Sequence, residues 1–377
     1  MGDSVPDPLT ADVFAGVPGA VIEHGVLQHL GNPLGEQRAL ADGSAIVPLA
    51  DRRVLAVAGE DRLSWLDSLA SQGLARLAPG ESTELLILDP NGRIEHAAAV
   101  VDDGETTWLI ADEGDADALL AWLLRMRFRL RVAPRDASDE YAVVGGTSAA
   151  AQSAGPAAPG GLPLLWRDPW PGVTPGGYGY AAVHPHPGEA RDWAEAVVAR
   201  AELDVIADAA VRGDRRLAGN LAAEALRIAA WRPRWAAEVD ERAIPHELDW
   251  MRTAVHLSKG CYRGQETVAK VHNLGHPPRR IVALQLDGSG SAMPAPGAAV
   301  RVGDDVVGTI TSVGLHFEEG PVALAVVKRS VPVDAELTVD GEDGPIAAAQ
   351  EVIVPPEAGA TANVPRMPRI GRRSPAR

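Results

Sequence analysis

Ser258 to Glu266 reads SKGCYRGQE and carries the only cysteine of the 377-residue chain, Cys261, together with one of its three lysines, Lys259. A thiol attacks or ligates metal as the thiolate, and neighbouring cations favour that form. Lys259 and Arg263 stand two residues to either side of Cys261, and Gly260 and Gly264 bracket the segment. Glycine allows positive φ and lets backbone approach another group closely. Tyr262 adds a stacking face and a phenol, while Gln265 and Glu266 add an amide and a carboxylate able to read a heterocycle edge. The residue types alone leave two readings open. Cys261 is a small buried hydrophobe beside a solvated Lys259, or it is a nucleophile in a built turn.

Composition bounds what such a site serves. Hydrophobic residues make up 46% and formal net charge is −16, so the chain is globular and a poor general partner for nucleic acid or an anionic membrane surface. Its 32 arginines still provide planar forks for a carboxylate or phosphate. One cysteine excludes an intrachain disulfide framework and a four-cysteine metal site. The start, MGDSVPDPLTADVF, lacks a basic segment followed by an apolar one, and no run approaches the roughly 20 apolar residues of a membrane span. These features point to a reducing, cytoplasmic setting.

The elements around the motif follow from pattern. RRVLAVAGEDRLSWLDSLAS reads as a strand, a turn at Gly59 and a helix from about Asp61, and STELLILDPNGRIEHAAAVVDDGETTWLIAD as three strands joined by turns at 89–92 and 102–104. GDADALLAWLLRM predicts a helix and RFRLRVAP a strand, and the alternating Arg125, Arg127, Arg129 and Arg131 of RMRFRLR form either a solvated face or a seat for anions. This order predicts a ferredoxin-like split βαβ unit over 53–138. Residues 145–163 read as a small-residue linker or surface loop, 192–203 and 220–231 as helices, and GQETVAKVH as a strand. Tyr178 and Tyr180 offer a stacking pair or a turn before a strand, and Asn91 and Gly92 are turn residues. His246, His256, His272 and His276 flank the motif without metal-ligand spacing. From 279 to 355, short Val- and Ile-rich strands predict a small β-barrel, and 356–377 a disordered tail.

KGCYRGQE resembles at every defined position the signature K-G-C-[FY]-x-G-Q-E of the YgfZ-type folate-binding proteins, relatives of the glycine-cleavage T-protein (aminomethyltransferase) that support iron–sulfur enzymes. VAGEDRLSWLDSLASQGL, LDPNGRI, EALRIAAWRPRW and VGTITSVG resemble further stretches of the same family, over roughly 24–354. The resemblance implies an α+β, T-protein-like ring of three domains: a discontinuous one from 1–52 and 139–278 that holds the motif, the unit at 53–138, and the barrel. It implies tetrahydrofolate, or a one-carbon derivative, in a central cavity with Cys261 and Lys259 beside it and Arg93, Glu95, Tyr180, Arg227 and Glu247 around it. It implies iron–sulfur client or assembly proteins as partners; the alternative it carries is a folate-dependent aminomethyl transferase. Two departures stand out. Glu95 and His96 replace the family's hairpin aspartate, and RIAAW puts Ala229 and Trp231 where R-[IL]-E-A-G has glutamate and glycine.

Overall fold

The computed structural model describes residues 13–289 and 293–362. The first described strands form a short hairpin, β1 (Val21–Glu23) and β2 (Val26–His29), followed by a helix α1 (Pro33–Ala41) and strand β3 (Ala45–Pro48). Asn32 caps α1 by accepting from the Gly35 N–H at 3.0 Å.

The next unit is β4 (Arg52–Ala58), α2 (Arg62–Leu69), β5 (Ser82–Leu88), β6 (Ile94–Asp102), β7 (Thr106–Asp112), α3 (Glu113–Met126) and β8 (Ala133–Asp136). The elements occur in the predicted order. The sheet order is β5-β6-β7-β4-β8, and every neighbouring pair is antiparallel. Relative to a four-stranded split βαβ unit, the meander adds one strand between the two helices. Trp65, Leu66 and Leu69 of α2 and Leu119, Trp122 and Leu123 of α3 share a core with Leu85, Ile87 and Leu109 of the sheet. The predicted strand at RFRLR does not form: residues 127–132 make a turn, Phe128 has φ +46 and is exposed, and Arg131 pairs with Glu60 and Asp61. Alternating arginines found no second sheet face to pack on, so pattern alone did not make a strand.

The chain then returns to β3. β9 (Tyr141–Gly146) pairs with it, and after α4 (Ser148–Gln152) come β10 (Leu165–Arg167), β11 (Ala194–Ala199), α5 (Glu202–Arg212), β12 (Arg216–Leu217), α6 (Asn220–Ala229) and the short α7 (Trp235–Glu238). The sheet order is β10-β11-β9-β3-β12, so residues 45–48 and 141–217 build one sheet across the intervening unit. Two expectations are corrected here. Residues 194–199, expected as helix, are a strand whose first five residues are buried, and a short fully buried apolar run has no period to tell the two apart. Residues 145–163 are no free linker: Ala150, Ala151 and Ala154 are buried, and a Cβ on Gly145 would come within 2.6 Å of Trp193.

The motif leads into α8 (Gln265–Leu274), where a strand was expected. Val268 and His272, four apart, are its buried positions, and this helical spacing overrides the β-preference of Thr and Val. Residues 176–182 likewise form turn and irregular chain rather than a strand entry. Finally β13 (Arg279–Leu286), β14 (Ala299–Val302), β15 (Asp305–His316), β16 (Gly320–Lys328), β17 (Leu337–Gly341) and β18 (Gly344–Val352) close as the predicted barrel, in the order β13-β16-β15-β14-β17-β18. Of the expected disordered tail, residues 356–362 pack on the fold. Ala358 is buried and its carbonyl lies 2.8 Å from His276 Nδ1. The rest of that segment lies outside the described residues.

Candidate functional site

The motif is a loop nailed to the 53–138 unit at both ends. At its start, Lys259 Nζ donates to the carbonyls of Asp67, Ala70 (2.9 Å) and Gln72 (2.8 Å), where α2 ends, and lies 3.4 Å from the Asp67 carboxylate. A helix leaves its last carbonyls unpaired, and an ammonium is a natural cap for them. The Lys259 side chain is 5% exposed, and burial lowers its pKa against the opposing pull of Asp67. Burial also acts to raise Asp67, but the N–H groups of Leu74 and Ala75, with Lys259, outweigh it and hold the carboxyl below its ordinary range. Lys259 sits 5.5 Å from the centre of the buried Tyr262 ring, so the tyrosine covers the cation.

At the other end two glycines meet. Gly264 has φ +82, and a Cβ there would lie 2.5 Å from the Asp89 carbonyl oxygen and 3.0 Å from Gly92 Cα. Gly92 itself has φ +77, and its Cβ would lie 3.1 Å from Thr267. The DPNG hairpin turn and the motif glycine thus pack backbone to backbone. Beside them Arg263 pairs with Glu95 at 2.6 Å, which explains why the hairpin carries a glutamate here. Gln265 reaches the carbonyls of Lys259 and Gly260, both at 3.4 Å, and closes the loop on itself. Glu266 is exposed in the first turn of α8. Cys261 is exposed at the crest. The reading of Cys261 as a buried hydrophobe beside a solvated lysine is thus inverted: the thiol is outside and the lysine inside. With its donors spent on carbonyls, Lys259 anchors the loop and has no N–H left to direct at Cys261.

The residues expected around folate do not converge. Arg227 lines the central cavity, but it pairs with Glu224 (2.8 Å) and Glu238 (3.1 Å) and donates to Ser312 (2.6 Å). Arg93 and Glu95 line a separate outer cavity. Tyr180 is buried, its hydroxyl 2.9 Å from His272 Nδ1, and Glu247 is fully buried against Arg279 at 2.7 Å. These last two brace the fold and face neither cavity. Cys261 lines neither cavity as well.

The central cavity does not fit a folate. Its volume is about 70 Å³, against roughly 300–1,000 Å³ for small-molecule sites. Arg52, Arg191, Arg227, Arg232 and Arg234 converge on it and are each paired there, with Asp112, Asp168, Glu224, Glu84 and again Asp112. Burial alone would raise Glu224, but Arg227 and Arg234 hold it down at about 2. Glu84 Oε1 and Arg232 Nη1 are buried there without a hydrogen-bond partner among the described residues, yet the space around them admits no fused ring. Ala229 supplies no carboxylate. Trp231 keeps the positive φ (+58) that suits the family's glycine, and its buried indole packs on His186 at 5.3 Å between ring centres.

Several buried titratable contacts gave no sequence signal. His96 and Asp115 are paired at 2.6 Å, and burial raises Asp115 while its bond to His96 opposes that shift. Asp249 is fully buried with φ +55, and burial pushes it up to about 7 against the charge of Arg252. Among the described residues no group of three or more His, Cys, Asp or Glu is placed to hold a metal ion. No helix among them is long and apolar enough to cross a membrane.

This architecture is the T-protein fold. The chain superposes on the glycine cleavage system aminomethyltransferase of Bartonella henselae with a TM-score of 0.69, covering 91% of this chain and 95% of that one at 17% identity. In sequence it is similar to the mitochondrial iron–sulfur cluster assembly factor IBA57 homolog of Mycosarcoma maydis, 26% identical over 266 residues, or 65% of this chain and 58% of that protein. It is also 31% identical over 130 residues, 33% of this chain, to a chloroplastic protein of Arabidopsis thaliana named as a candidate transferase, of which it covers 28%. The chain therefore spans from about a quarter to somewhat over half of the curated relatives it matches. No family model matches it. The resemblance read from the octapeptide holds: the chain has the T-protein fold and is similar in sequence to an iron–sulfur assembly factor.

Proposed function

We propose that this protein supports the assembly or repair of iron–sulfur enzymes in the cytoplasm, presenting Cys261 to a client or assembly protein. One observation carries the reading: the sole thiol is exposed on a loop fixed at both ends, by Lys259 on α2 and by Gly264 and Arg263 on the hairpin. A fixed, accessible thiol suits brief contact with a cluster that belongs to another protein. It supplies one ligand where a cluster takes four, so the cluster is cargo rather than a resident group. The sequence similarity to an assembly factor supports the same direction.

The test is genetic and direct. In a strain lacking the protein, iron–sulfur enzyme activities fall and the wild-type chain restores them, whereas Cys261→Ser, equally folded, does not. Serine keeps the size of cysteine without its nucleophilicity or soft-metal affinity. Full rescue by the serine variant would remove the thiol from the function.

The resemblance also implies tetrahydrofolate, and the alternative it carries is an aminomethyl transferase. Our reading routes no step through folate, because the central cavity lacks the volume for it. A ligand bound only to the native state stabilises it by about 2.7 kcal/mol at 100 Kd, a shift of a few degrees in Tm for a chain of this size. Tetrahydrofolate is expected to give no such shift and no aminomethyl turnover. A saturable shift, retained in Cys261→Ser, would establish folate binding and reopen the transferase.

A further inference from the structure

We propose that the outer cavity between the hairpin and α3 is a binding site for a small aromatic carboxylate, with His96 as the group that takes a proton from its ring substituent. The cavity measures about 730 Å³, within the range of small-molecule sites. Its walls bring together three kinds of group that such a ligand needs. Trp122 and Trp235 supply flat apolar faces, and Trp235 is held in place by its indole N–H, which donates to the Glu95 carbonyl at 3.1 Å. Arg93 and Arg125 are exposed on the wall and make no ion pair among the described residues, so two guanidinium forks stand free for a carboxylate.

His96 is the third. Its ring is 90% buried and faces this cavity, 6.3 Å from the Trp122 ring between centres. Nδ1 lies 2.6 Å from Asp115 Oδ1, and the other Asp115 oxygen accepts the Ala97 N–H at 3.3 Å. That carboxylate is an acceptor for the backbone, so it fixes the proton of the imidazole on Nδ1 and leaves Nε2 with its lone pair. Nε2 has no hydrogen-bond partner among the described residues. A buried carboxylate that orients a cavity-lining histidine and leaves its other nitrogen unpaired is the arrangement of a general base. The remaining acids on the wall do not cancel the arginines. Arg263 neutralises Glu95, Arg279 neutralises Asp240, and Asp89 is turned to the N–H groups of Asn91 and Arg93; Glu241 alone stands free. The proton step balances within the site. A ligand O–H bond breaks, the Nε2–H bond forms, Asp115 faces the resulting imidazolium, and the ring oxygen keeps the electron pair as phenolate.

The site needs neither Cys261 nor the iron–sulfur reading, and the experiment keeps them apart. The probe is 4-hydroxy-3-nitrobenzoate, whose phenolate absorbs in the visible. The full chain is titrated below the pH at which the free probe ionises, following tryptophan fluorescence and phenolate absorbance together. Saturable 1:1 quenching with a rise in phenolate is expected, and Cys261→Ser should behave identically. Arg93→Ala combined with Arg125→Ala should weaken binding at least tenfold, since both residues are exposed and the fold does not depend on them. His96→Asn, and His96→Gln as a second variant, should bind within about threefold of wild type but lose the phenolate signal. Acetate, which has the charge without the ring, should not compete. Absence of saturable quenching by the wild type, or an undiminished phenolate signal in both His96 variants, would overturn the proposal.

Discussion

The motif loop and the central cavity handle charge in opposite ways. In the centre, five arginines meet four carboxylates, and every guanidinium has an acidic partner. The result is a cross-braced, nearly filled hole. At the motif, a single lysine is buried to hold backbone carbonyls, and everything else serves to leave Cys261 outside. In this T-protein fold the central cavity is nearly filled by paired charges, and the exposed thiol stands on a loop away from it. The first experiments should ask whether the centre is purely structural and whether the loop is purely a display.

Removing Arg232 strikes the centre hardest. Arg232→Ala leaves the Glu84 and Asp168 carboxylates buried without their shared partner, and breaking such a set costs about 3–5 kcal/mol. Urea unfolding should show a loss of that size; a loss below about 1 kcal/mol would mean the centre is wet and open, and would revive a ligand there. Gly264→Val comes next. The left-handed backbone alone costs a branched residue about 1–2 kcal/mol, and the 2.5 Å approach to Asp89 adds to it. The loop should lift off the hairpin, seen as faster proteolysis between 258 and 266.

Lys259→Met separates anchor from activator. Stability should fall by about 1–3 kcal/mol as buried carbonyls lose their donor, while the rate of Cys261 alkylation near neutral pH should not drop. A slower reaction with unchanged stability would instead make Lys259 the cation that activates the thiol.

A smaller effect tests the polar core beside the motif. Asp249 is raised to about 7, so the stability it contributes is present below the ordinary carboxyl value near 3.8 and lost as pH rises through 7. Burial depresses His186 and His246 to about 4 from 6.5, so their contribution is present above 6.5 and lost as pH falls toward 4. The two trends oppose each other between 4 and 6.5. Asp249→Asn removes the first and tolerates the same positive φ, so Tm of the variant should climb more steeply with pH across that window. An unchanged slope would show that Asp249 is ionised throughout. Cys261→Ser should do least to stability, within about 0.5 kcal/mol for an exposed position, while abolishing rescue.

Much of this was legible without coordinates. The strand–helix order of 52–126 and the barrel after 279 followed from period and turn residues, because each element there has one buried and one wet face or a clear turn at its ends. The resemblance carried by the octapeptide pointed to the T-protein fold, which the structure has. The strand at 194–199 and the helix at 265–274 were misread for one reason: their neighbours, not their own composition, decide which faces are covered. No spacing in the sequence links His96 to Asp115 or Glu95 to Arg263, 168 residues away, since only the packing of the hairpin against α3 and the motif brings them together. The sequence by itself determined that a lone thiol would sit in a glycine-bracketed turn near a lysine. Tertiary structure decided that the lysine would face inward and the thiol outward, because unpaired carbonyls at the end of α2 bind an ammonium more strongly than water can hold it outside.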